Sequence, residues 1–174
     1  MRDGIAAPSG ARPEALQGAG GRVQGAAGGA PWLRLLALTA VLNVVRYTIV
    51  PLLEAPIVRH VFTAMAAEPE IFRTHFGTFD WVTSVVYNFV LWWVAVVAVH
   101  CMQPGLRGGW WLRCAKGWGL LWASFAAVSA VYMNHYTHER AFYLWNIADS
   151  LLVFALLGAT YALLHPHLVG EKAT

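Results

Sequence analysis

The sequence predicts an all-α integral membrane protein of four transmembrane helices, and three observations carry that reading. Hydrophobic residues make up 58% of the chain and charged residues only 12%, about half the charged share usual for a soluble domain. The chain holds nine tryptophans, a residue that collects at membrane–water interfaces. Its apolar residues gather in runs long enough to cross a bilayer as helices rising about 1.5 Å per residue.

Residues 1–30 are rich in Gly and Ala, carry Arg2, Arg12 and Arg22, and contain no apolar run. They read as a disordered tail and not as a cleavable signal. The four-helix domain is expected over residues 31–168, with a short polar tail at 169–174. The first span runs from about Leu35 to Leu53, with Trp32 and Arg34 as interfacial anchors. It carries Asn43 and Arg46 inside its apolar run and Pro51 near its end.

The longest connection follows. Ile57, Val58, Val61, Phe62 and Met65 fall on one face of a helical period. That pattern predicts a short amphipathic helix over Pro56 to Ala66, lying on the outer membrane face between spans one and two. Glu68-Pro69-Glu70 ends it, and the aromatic stretch to Phe79 argues for an ordered loop. The second span runs from Trp81 to about Met102 and holds Asn88. Gln103 to Gly109 is a tight turn. The third span covers about Trp111 to Met133, with Arg113 and Lys116 near its start and Ser124 and Ser129 toward its end. The connection through His135, His138 and Glu139 is short. The fourth span is about Ala141 to Leu164, stopped at His165-Pro166-His167.

Charge sets the orientation. Arg2, Arg12, Arg22, Arg34, Arg107, Arg113, Lys116 and Lys172 share one side. Arg59, Arg73 and Arg140 lie on the other, among Glu54, Glu68, Glu70, Asp80 and Glu139. The excess of Lys and Arg places both termini in the cytoplasm. The expected location is a bacterial inner membrane, crossed several times. Cys101 and Cys114 then sit on the reducing side and imply no disulfide. No phosphate loop, nucleic-acid patch or serine-hydrolase order stands out, so no nucleic-acid partner is expected.

Asp149 organises the rest. It lies within the last apolar run, where a carboxyl is costly unless it faces protein or water, and so marks a functional site by default. Arg46, Asn88, Ser129 and Asp149 each fall about 9–12 Å inside the outer edge of their spans at the helical rise. That coincidence predicts an interior polar cluster of Arg46, Asn88, Ser129, Asn146 and Asp149, centred on an Arg46–Asp149 pair. Such a pair can also serve only to fix helix packing. His135 and His138 are spaced to offer two imidazoles to a metal, without a third ligand fixed by spacing. His100 and His165, at the inner ends of spans two and four, could bind a haem axially or sit as interfacial histidines. The cofactor is otherwise left open.

Trp145-Asn146-Ile147-Ala148-Asp149-Ser150 resembles the Phe-Asn-x-Ala-Asp motif that opens the fourth helix of signal peptidase II, the lipoprotein signal peptidase. The likeness extends weakly over most of residues 31–168. It implies four membrane helices, cytoplasmic termini and, at Asp149, one member of an aspartyl dyad supported by Asn146. The family's other aspartate belongs to a Gly-Asn-x-x-Asp-Arg motif ending the third helix. Here Asn134 matches the asparagine, which puts Thr137 at the aspartate and His138 at the arginine. An aspartyl peptidase needs two carboxyls sharing a proton, and threonine cannot hold it. The fold is therefore expected to be retained and the dyad lost. The leading expectation is a pseudoenzyme: a non-catalytic subunit or assembly factor of a larger inner-membrane complex, with the bilayer and other membrane subunits as partners. An active aspartyl lipoprotein signal peptidase, with Asp149 catalytic, is one alternative; a metal- or haem-binding membrane subunit is another. A second carboxyl beside Asp149 would put the peptidase first.

Overall fold

A computed structural model of the protein describes residues 31–70, 72, 76–136 and 139–170. The expected tail at 1–30, Thr137, His138 and the last four residues lie outside the described residues. Among those described, every regular element is helical: α1 (Pro31–Thr48), α2 (Val50–Ala67), α3 (Thr78–Met102), a 3-10 turn (Gln103–Gly105), α4 (Trp110–His135) and α5 (Arg140–Leu168).

α1 buries Leu35, Leu38, Thr39, Leu42 and Asn43, one face of a 3.6-residue period. Its two buried polar side chains are satisfied locally. Thr39 Oγ1 donates to the Leu35 carbonyl and Asn43 Nδ2 to the Thr39 carbonyl, both at 2.9 Å. The first span differs from its predicted extent. It breaks at Ile49, and α2 continues at 54° to α1. Pro51 is the cause: it has no N–H, and its ring crowds the carbonyl of Tyr47 four residues earlier. At the start of a new helix the missing N–H costs nothing.

The amphipathic helix expected over Pro56 to Ala66 is also corrected. It is part of the longer α2, which runs through Pro56 and packs along the N-terminal half of α5. His60 stacks on Trp145, with ring centroids 4.3 Å apart. Beyond the helix Phe72 meets Phe142 at 4.8 Å, and Glu68 Oε1 accepts the Glu139 backbone N–H at 3.1 Å. That last bond sets a carboxylate at the N-terminus of α5, where the orphan N–H groups and the helix dipole favour it.

α5 packs against α1, α2 and α4, while α3 packs against α1 and α4. The core gathers Leu38 and Leu42 of α1, Val96 and Val99 of α3, Trp118 of α4, and Phe154, Leu157 and Tyr161 of α5. Gly158 allows the closest approach, because a Cβ there would stand 2.9 Å from Cγ of Trp118. α3 joins the core through Trp92, Ala95, Val96 and Val99, all in its second half. Its first half leaves Trp81, Val82, Val85, Val86, Tyr87 and Val90 exposed.

The ends of the bundle are fastened separately. Asp80 Oδ2 accepts the Gly77 N–H at 2.9 Å and starts α3. Arg34 Nη1 donates to the Val169 carbonyl at 3.1 Å, so the first and last described segments meet at one end. α5 runs through Pro166, which cannot donate to the Ala162 carbonyl. Trp110 Nε1 supplies that bond instead, at 2.7 Å, so the helix passes the proline and ends at Leu168.

Three helices of the described residues are long and apolar enough to cross a membrane, and α1 with α2 makes a fourth if the bent pair is one span. Their outward faces carry large apolar side chains, with Leu52 and Phe79 each 78% exposed. Apolar exposure on this scale suits surroundings of lipid, since soluble monomers rarely leave contiguous patches of more than a few hundred Å².

Candidate functional site

The site forms where the bend at Ile49 turns α1 into α2. Arg46 lies in the last turn of α1 and Glu54 in the second turn of α2. Eight residues of straight helix would set them about 12 Å apart along the axis. The bend closes that gap, and Arg46 Nη1 meets Glu54 Oε1 at 2.8 Å. The Glu54 side chain is 9% exposed and that of Arg46 22%, so the pair is shielded from water and its hydrogen bond is charge-assisted.

Asp149 reaches the same place from α5. It lies close enough that the charges of Glu54 and Arg46 both act on it. Glu54 Oε2 and Asp149 Oδ1 are both buried, and neither has a hydrogen-bond partner among the described residues. Two carboxylates brought close repel: unit charges about 4 Å apart interact by about 4 kcal/mol at an effective dielectric of about 20. One proton held by the pair removes that repulsion. Arg46 is engaged by Glu54, so Asp149 is the acid with no cation bonded to it among the described residues.

The predicted cluster is thus realised in part and differently paired. Arg46 and Asp149 come together, but the arginine's ion pair is with Glu54 and not with Asp149. Asn88 sits on the first half of α3, away from the core, and donates to the Ser84 carbonyl of its own helix at 2.9 Å. Ser129 is buried on α4 and Asn146 half-buried on α5; neither is hydrogen-bonded to the acids. The layer of equal depths fails as a cluster because the buried residues of α3 all lie in its second half. Glu54 was the residue missed. The signal was its position two helical turns after Arg46 and one turn after Pro51, which fits a continuing helix as well as it fits a loop.

Glu54 also lines an open groove along α2 with Pro51, Ala55, Val58, Arg59 and Phe62. Glu54 is thus the member of the pair that borders this groove.

The other candidates fall elsewhere. His135 is exposed, with Nδ1 at 2.8 Å from the Val131 carbonyl, and His138 lies outside the described residues. Among the described residues no three His, Cys, Asp or Glu side chains are grouped to hold a metal. His100 and His165 do meet where α3 and α5 end, but Nδ1 of His100 is 3.1 Å from Nε2 of His165. That direct contact leaves no room for a macrocycle between the rings.

No family model, curated protein or solved structure matches this chain.

Proposed function

We propose that this chain is a multi-pass protein of a bacterial inner membrane, with both termini cytoplasmic, whose Glu54–Asp149 pair performs acid–base hydrolysis of a peptide at the outer membrane surface. The observation that supports this reading is the second carboxyl beside Asp149. A purely structural clamp between α2 and α5 needs only Arg46 and one acid. Adding Asp149 to a salt-bridged Glu54 costs stability unless the pair holds a proton, and held protons are what acid–base chemistry uses. Glu54, paired with Arg46, would take a proton from the attacking water while Asp149 gives its proton to the scissile carbonyl oxygen.

The resemblance of Trp145 to Ser150 to the second motif of signal peptidase II agrees with this assignment of Asp149. The partner acid departs from that family's pattern, coming from the bent first span instead of the third helix. The substrate class taken from the resemblance is a lipid-modified precursor. The test is cleavage of a lipid-modified precursor by the full chain in proteoliposomes. Glu54→Gln and Asp149→Asn, each shown to fold, should both abolish product. Cleavage that survives either change sinks the proposal.

A second reading is a non-catalytic subunit, supported by the first half of α3, whose exposed apolar side chains would suit a partner helix. Its test is purification in mild detergent: co-migration with other membrane proteins, with no peptidase activity, would favour it.

A further inference from the structure

The inner end of the bundle carries a second titratable pair that the acid site does not use. His100 lies in the last turn of α3 and His165 in the last turn of α5. His100 Nδ1 and His165 Nε2 are 3.1 Å apart. His165 is fully buried, with Trp110 and Tyr161 at ring-centroid distances of 5.0 and 4.9 Å. The backbones of α3 and α5 stay apart. Side chains bridge them: Trp92 against Phe154 at 5.2 Å, and the two histidines. The histidine bond is thus the polar tie between these helices at this end.

Such a tie depends on proton count. Two neutral imidazoles make it, since one ring nitrogen donates and the other accepts; one neutral and one charged ring make it equally well. Two charged rings cannot, because both facing nitrogens then carry protons. The surroundings supply no relief for the second charge. α1 brings Arg34, which is bonded to the Val169 carbonyl. α4 brings Arg113, 6.0 Å above the Trp110 ring, and Lys116, which donates to the Arg107 carbonyl. Cys114 on α4, Cys101 on α3, and Tyr161 and His167 on α5 complete the titratable neighbours. No acidic side chain of the described residues lies on this half of any helix.

We propose that His100 and His165 form a proton-operated latch. It is closed while at least one ring is neutral, and open, with α3 released from α5, when both are charged. Acidification opens it and raising the pH closes it. The latch is independent of the acid pair and of its proposed chemistry.

The test uses the full chain in lipid nanodiscs with Cys114→Ser and spin labels on Cys101 and on Leu168→Cys. Their separation is measured at about pH 8 and about pH 3, well above and well below the ordinary imidazole value of about 6.5. The expected result is a longer, broader distance distribution at the lower pH, and no such change in His100→Gln, which keeps donor and acceptor but never charges. An unchanged wild-type distance, or the same change in His100→Gln, overturns the proposal. Should that variant not fold, histidine-selective nitrogen NMR of the wild type decides. The coupling across the ring-to-ring hydrogen bond must be present at the higher pH and lost at the lower, and its persistence also overturns the latch.

Discussion

Arg46 in the last turn of α1 and Glu54 in the second turn of α2 meet across the bend at Ile49, with Nη1 2.8 Å from Oε1, and Asp149 on α5 lies near enough for both charges to act on it. A shielded cation and two acids balance only if the acids keep one proton between them. From that count follow the first two predictions.

Arg46→Leu leaves the Glu54 charge buried without its partner. Loss of one member of a shielded ion pair typically costs about 3–5 kcal/mol, and partial exposure of Arg46 puts the expected loss near the lower figure. Arg46→Leu combined with Glu54→Leu should recover most of it. Thermal unfolding in detergent compares the three chains, and a double variant as unstable as the single one would refute the pairing.

A carbodiimide attacks protonated carboxyls in apolar surroundings. In membranes at neutral pH it should modify Asp149 in preference to Glu54, as located by peptide mass mapping. Asp149→Asn should abolish that adduct. Equal labelling of Glu54 and Asp149 would show that Arg46 does not divide their roles.

Trp110 supplies the hydrogen bond that Pro166 withholds from the Ala162 carbonyl. Trp110→Phe should therefore destabilise by about 1–3 kcal/mol, the cost of a buried acceptor left unpaired, in addition to any lost packing. Pro166→Ala restores a backbone donor to the same carbonyl. The double variant should lose less than the sum of the two single changes, and strict additivity in unfolding measurements would contradict this account.

Gly158 lies under Trp118, and a Cβ would come within 2.9 Å of Cγ. Gly158→Ala should destabilise by about 1–3 kcal/mol through overpacking, even though alanine is the better helix former. Gly119, where a Cβ meets nothing within 4 Å, provides the control: Gly119→Ala should be neutral or stabilising by the same unfolding measurement.

Much of the fold was legible in local sequence. The apolar runs gave the later spans to within a few residues, because hydropathy and helical period are properties of a single segment. Pro51 is visible in the sequence, but a proline near the end of an apolar run does not say whether the helix stops or bends. A proline announces that a helix cannot continue straight, and it leaves the direction of the next segment to packing. The pairing of Pro56 to Ala66 with α5 was hidden for the same reason. Its apolar face suits a lipid surface and a protein surface equally.

By itself, then, the sequence determined a helical protein with spans of membrane length and singled out Asp149 as the costly charge, since one buried carboxylate must be answered by something. Only the tertiary structure decided that Glu54 answers it, with Arg46 behind. The bend at Ile49 and the docking of α2 on α5 bring together side chains from segments far apart in the chain. Distance between such segments is set by how helices pack, which no local pattern encodes.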